Sequence, residues 1–108
     1  MSANPWQKTL NLADHTIAYN LFALIQASDV TVRYPQCCAL DIQLDPGAGG
    51  AKLYIGNSDV SSTNRGTELV AGQAKVYEGI EQNLYLLNQI WVIASADNTK
   101  INVNFVVH

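Results

Sequence analysis

The stretch Lys100-Ile101-Asn102-Val103-Asn104-Phe105-Val106-Val107 decides the fold. Ile101, Val103, Phe105 and Val107 occupy every second position, with Lys100, Asn102, Asn104 and Val106 between them. Successive side chains of a strand point to opposite faces, so this alternation predicts a half-buried strand. The same period recurs upstream. Leu40, Ile42 and Leu44 alternate with Ala39, Asp41 and Gln43, and Leu53 and Ile55 alternate with Lys52, Tyr54 and Gly56. Ala74 and Val76 alternate with Lys75 and Tyr77, which predicts Ala74 and Val76 inward and Tyr77 outward. Ile90-Trp91-Val92-Ile93-Ala94 is apolar in both registers and predicts a central strand covered on both faces.

Turn chemistry divides these runs. Asp45-Pro46-Gly47-Ala48-Gly49-Gly50 combines a preset φ with glycines that admit positive φ. Ala71-Gly72-Gln73 lies at hairpin spacing between Thr67–Val70 and Ala74–Tyr77, and Ala96-Asp97-Asn98-Thr99 predicts a hairpin loop before the last strand. Between Asp14 and Ala27 the signals are mixed: Thr16–Tyr19 favours a strand and Leu21–Ile25 a turn or short helical piece. Glu78-Gly79-Ile80-Glu81 is irregular. Seven or eight strands at this spacing predict an all-β protein, a single β-sandwich, jelly-roll-like or Ig-like.

The 108 residues and 11.8 kDa are one domain's worth of chain, spanning residues 1–108. Hydrophobic residues make up 48%, which argues against disorder. The formal charge of −3, with Lys8, Arg33, Lys52, Arg65, Lys75 and Lys100 dispersed, gives no phosphate-tracking stripe, so no nucleic-acid partner is expected. Asn and Gln together number 17, against 15 charged residues, so neutral amides share the work of wetting the surface. The start, Met1-Ser2-Ala3-Asn4-Pro5-Trp6, has neither a basic n-region nor an apolar h-region, and Thr16 to Ser28 is too short to span a bilayer. Synthesis in a cytoplasm, with no membrane partner, is the expectation. Residues 1–7 precede any clear strand and are expected to form an extended N-terminal arm.

No catalytic set assembles, and no enzyme is expected. His15 follows Asp14 beside a turn, and His108 lies where fraying is expected. Asp41 and Asp45, four apart on a strand, stand ~13 Å apart at ~3.3 Å per residue, too far for a glycosidase pair at ~5–9.5 Å. Gly47-Ala48-Gly49-Gly50 leads into a strand and lacks the Gly-Lys-Ser/Thr of a phosphate loop. Adjacent Cys37 and Cys38 point to opposite faces, so two free thiols are expected, and there is no zinc spacing. No cofactor or metal is predicted. Tyr54 and Tyr77, on outer faces by alternation, join Asn4 and Trp6 of the arm as interface candidates, because Tyr and Trp bury large area with few torsions to freeze.

The run Lys52-Leu53-Tyr54-Ile55-Gly56-Asn57-Ser58-Asp59-Val60-Ser61-Ser62-Thr63-Asn64-Arg65-Gly66, with Glu68–Gln73 and Gln89–Ala94, resembles a pattern in small bacteriophage structural proteins. The likeness covers about half the chain, from Lys52 to Val107. Its plain structural content is a strand ending at Gly56, a turn held by Asn57, Ser58 and Asp59, Val60 dropped into the core, a reversal at Gly66 and Leu69 returned to the core. The resemblance implies a virion structural protein of capsid decoration (cement) type. Such a protein would bind the major capsid protein on the outside of a phage head and associate with itself as a dimer or trimer. A glycan- or receptor-binding module of a tail, neck or head fibre, using Trp6, Trp91 or an outward Tyr as stacking platforms, is the alternative that it leaves open.

Overall fold

The computed structural model describes residues 4–78 and 85–107. His108 and the Gly79–Glu81 part of the irregular piece lie outside them. The strands are β1 (Asn4–Leu12), β2 (Tyr19–Asn20), β3 (Gln36–Cys37), β4 (Ala39–Leu44), β5 (Leu53–Gly56), β6 (Thr67–Leu69), β7 (Ala74–Glu78), β8 (Tyr85–Leu86), β9 (Trp91–Ala94) and β10 (Thr99–Val107). The helix α1 (Leu21–Ser28) follows β2. Asn20 caps it by accepting from the Ala23 N–H at 3.1 Å, and Leu21 and Ile25 are its buried residues.

Two antiparallel sheets pack face to face. The first has the order β1-β10-β4-β7 and the second β2-β9-β5-β6, while β3 and β8 form a separate two-residue pair. Without that small pair, eight strands remain. The first sheet then holds the first, eighth, third and sixth in chain order, and the second sheet holds the second, seventh, fourth and fifth. This is the strand order of a jelly roll. An Ig-like sandwich keeps its first two strands in one sheet, whereas here β1 and β2 belong to opposite sheets.

The core lies between the sheets. Leu10, Leu12, Leu40, Ile42, Leu44, Ile101, Val103 and Phe105 project from the first sheet, and Leu53, Ile55, Leu69, Val92 and Ala94 from the second. The alternation of β4, β5 and β10 thus meets the expected faces, and β9 is interior with Val92, Ile93 and Ala94 all buried. Truncating a core ring such as Phe105 to alanine costs about 3–5 kcal/mol.

Four local expectations are corrected. The segment expected as an arm over residues 1–7 is, from Asn4 onward, the edge strand β1, paired with β10 from Asn4↔Val107 to Leu12↔Thr99. Its apolar alternation over Trp6, Leu10 and Leu12 is interrupted by Lys8, which sits in the same inward row opposite Val103. The Ala71-Gly72-Gln73 turn is no hairpin: it carries the chain from the second sheet to the first, where the Gly72 N–H donates to the Leu44 carbonyl at 2.9 Å. The Ala96–Thr99 loop likewise crosses between sheets, from β9 to β10. Pairing of β7 with β4 also inverts the expected faces of β7. Tyr77 stands opposite buried Leu40 and packs on the core, while Val76 stands opposite Asp41 and is 53% exposed.

Both outer strands of the first sheet carry a lysine in the inward row, Lys8 opposite Val103 and Lys75 opposite Ile42. Lys8 Nζ donates to the Ser28 carbonyl at 3.1 Å, and Lys75 Nζ lies 5.4 Å from the centre of the Tyr77 ring. Inward charge on an edge opposes pairing with another sheet.

Candidate docking face

The two outer sheet faces differ. That of the second sheet is covered by its own chain. Residues 57–66 fold over it, and Val60 packs with Tyr54 and Ile93 in a small second core against which Trp91 and Ala18 rest. The loop holds itself by short polar bonds. The Asp59 N–H donates to Asn57 Oδ1 at 2.9 Å, the Asn64 N–H to Ser61 Oγ at 2.9 Å, and Asn64 Nδ2 to the Asp59 carbonyl at 3.1 Å. Gly66, at φ +61°, brings the chain back beside Ile55.

Among the described residues, nothing covers the outer face of the first sheet. Register places Gln7, Asn104, Asp41 and Val76 in one transverse row, and Thr9, Asn102, Gln43 and Ala74 in the next. Thr9 donates its hydroxyl to Asn102 Oδ1 at 2.7 Å, and Asn102 Nδ2 donates to Gln43 Oε1 at 3.0 Å and to Asp45 Oδ1 at 3.1 Å. Gln43 Nε2 donates to the Gly72 carbonyl at 3.2 Å, and Asn11 Nδ2 to Asn98 Oδ1 at 3.3 Å. Carboxamides can donate and accept at once, so they tie neighbouring strands together and still present polar atoms outward.

A trough of about 240 Å³ crosses this face beside the Asp41 row. Gln7, Asn104, Asp41 and Val76 form one wall and Ala39 and Val106 the other, with the chain at Trp6, Phe105, Leu40 and Tyr77 beneath. Asp41 Oδ1 is buried and, among the described residues, has no hydrogen-bond partner. A buried acceptor left unpaired costs roughly 1–3 kcal/mol.

Of the residues expected at an interface, Trp6 and Tyr77 lie beneath the trough in the inward row. Asn4 begins the β1 ladder. Trp6 is half-buried in the inward row, stacked on Phe105 at 4.9 Å, and its Nε1 donates to Asp29 Oδ2 at 3.0 Å. Tyr54 does lie on an outer face, but the 57–66 loop covers it, leaving it 5% exposed with the Arg65 guanidinium 5.3 Å over its ring. Tyr77 faces the core. These four are not brought together on one surface, and Trp91 is half-buried. The large exposed apolar side chains are instead Val30, Tyr34, Val76, Ile17 and Val70.

Titratable groups gather at one end of the sandwich. Asp14, His15 and Asp97 bring their ligand atoms within 4.8 Å of one another and face solvent. His15 Nδ1 lies 2.6 Å from Asp97 Oδ1, and this hydrogen bond raises the imidazole pKa. The His15 backbone and ring donors lower that of Asp97, and the Thr16 donors lower that of Asp14. Asp29 is held down to about 2, first by the Thr31 hydroxyl and then by Trp6 Nε1. Cys37 and Cys38 are both free, and burial pushes the Cys37 thiol up to about 11.

No protein-family model, no curated protein and no solved structure matches the chain. Among the described residues, no helix is long and apolar enough to cross a membrane.

Proposed function

We propose that the chain is a non-enzymatic structural protein of a phage virion, of decoration type, that lays the open face of its first sheet against the major capsid protein and ties neighbouring shell subunits together. The observation that carries this reading is the asymmetry of the two outer faces. One is closed by residues 57–66, while the other is covered by none of the described residues and is lined by Gln7, Thr9, Gln43, Asn102 and Asn104. A carboxamide surface stays wet in the free protein yet gives up its water at less cost than a charged one. The jelly roll is a fold that viral capsid proteins use, and the likeness of Lys52 to Val107 to phage structural domains points the same way.

Size supports docking by several copies. The pleated face measures roughly 450 Å² in plan at ~3.3 Å per residue and ~4.8 Å per strand. Counted on both partners, that is about 900 Å², just short of the ~1,000 Å² total that a specific contact needs. Self-association into a dimer or trimer would multiply such a contact. The inward lysines Lys8 and Lys75 turn that association away from the edges of the first sheet.

The test is stoichiometric binding of the purified chain to phage heads that lack it, followed by heating in low salt. Binding at a fixed ratio with a raised disruption temperature is the expected result. N102R and Q43R, which put charge on the open face, should weaken binding at least tenfold, whereas N57R on the opposite side should not. Heads equally stable with and without the protein would remove the cementing role. A tryptophan fluorescence response to host polysaccharide, without binding to heads, would replace it with glycan recognition.

A further inference from the structure

We propose that the trough across the first sheet receives a lysine side chain of the docked protein, with its ammonium on the Asp41 carboxylate and its methylenes along Ala39, Val76 and Val106. This rests on the docking reading above and names the chemistry of its partner.

Charge, shape and chemistry converge on this occupant. Among the described residues, no Lys or Arg pairs with Asp41. The one cation on its face, Lys100, stands opposite Asn11, four residues along β10 from Asn104, or ~13 Å away. Among the described residues the carboxylate therefore has no cationic partner, and its Oδ1 is buried without a hydrogen-bond partner. At about 240 Å³, the trough is smaller than the ~300–1,000 Å³ of sites that take a whole small molecule. Ala39 and Val106, the described residues of the wall opposite Asp41, are apolar and suited to an alkyl stem, while Asn104 and Gln7 add carbonyl acceptors beside the charge. Lysine fits better than arginine. With Oδ1 sealed, Asp41 offers a single oxygen, enough for a point charge but not for the two parallel bonds of a guanidinium fork. A saccharide fits less well, because the nearby rings of Trp6, Phe105 and Tyr77 belong to the inward row and give no stacking platform in the trough.

The test is a two-dimensional amide NMR titration of the full chain with Nα-acetyl-lysine methylamide. Parallel titrations use the norleucine analogue, which lacks the ammonium, the arginine analogue, and glucose. The expected result is saturable shifts at Ala39, Asp41, Val76, Asn104 and Val106, with an affinity on the order of millimolar. High salt should weaken it, and D41N should weaken it at least fivefold with an otherwise unchanged spectrum. Equal shifts from norleucine, tighter binding of the arginine analogue or glucose, or an unaltered D41N would each overturn the assignment. Failure here is separable from failure of the docking reading. Heads that bind D41N as tightly as the parent chain would leave the docking face standing and remove the lysine. A lysine-responsive trough in a chain that ignores heads would do the reverse.

Discussion

Replacing Gly66 by alanine tests how the second sheet is closed. Gly66 sits at φ +61°, and a Cβ built there would lie 2.2 Å from the Ile55 carbonyl oxygen, where ordinary contact begins near 3.4 Å. The left-handed backbone costs an L-residue about 1–2 kcal/mol. Relieving the overlap requires moving backbone in the β5–β6 pair, at a further ~1–3 kcal/mol. The total of about 2–5 kcal/mol is a large share of a domain's ~5–15 kcal/mol, and at ~4–8 °C per kcal/mol it lowers Tm by at least ~10 °C. Gly72→Ala is the matched control, since Gly72 has φ +86° but nothing within 4 Å of a built Cβ, so it incurs only the backbone strain. Urea unfolding of both variants measures the difference, expected at about 1–3 kcal/mol. Gly66→Ala should also redden Trp91 emission, because Trp91 packs on the cluster that the loop seals. Equal losses for the two variants, or a Trp91 signal unmoved in Gly66→Ala, would refute the close approach to Ile55 as the reason for glycine.

The His15–Asp97 clip has a defined pH window: the raised His15 pKa gives stability present below 6.5 and lost as pH rises through the higher folded value. The lowered Asp97 pKa gives stability present above 3.8 and lost as pH falls through the lower folded value. Thermal melts should therefore show a gap between the parent chain and His15→Ala at pH 5 that closes by about pH 9. Thiol titration of the folded protein with a disulfide reagent at pH 8 should modify Cys38 first and Cys37 only on unfolding, since Cys37 is fully buried with its thiol pushed up to about 11. Lys75→Val removes the inward charge from the β7 edge and should increase concentration-dependent association in sedimentation velocity; an unchanged profile would deny Lys75 that role.

Much of the sandwich was legible because period two survives in β4, β5 and β10, where large apolar residues mark one face and polar residues the other. The turn chemistry of residues 57–66 was equally plain, down to the burial of Val60 and Leu69. Strand β7 was not, because Ala-Lys-Val-Tyr-Glu offers an apolar side chain in both registers. Only its pairing with β4 decides that Tyr77, the larger, goes inward. Strand partners were hidden for a related reason: a turn as short as Ala71–Gln73 serves a hairpin and an inter-sheet crossing alike. The open face was half legible. The excess of Asn and Gln signalled a carboxamide surface, but its gathering of Gln7, Gln43, Asn102 and Asn104 required strands distant in sequence to become neighbours. Alternation placed the Tyr54 ring on the correct side of its strand but could not show that the 57–66 loop would cover it.

The pairing of β1 with β10 has a kinetic consequence. Residues 87 to 103 positions apart zip along nine rungs, and β10 is also the strand that joins β1 to β4. The first sheet therefore cannot assemble on the ribosome until β10 has emerged, and β1 must wait with its Trp6 face uncovered. Such high contact order places folding in the millisecond-to-second range rather than the microsecond range. A nascent chain stalled just before Thr99 should be the most protease-sensitive and chaperone-bound of its intermediates.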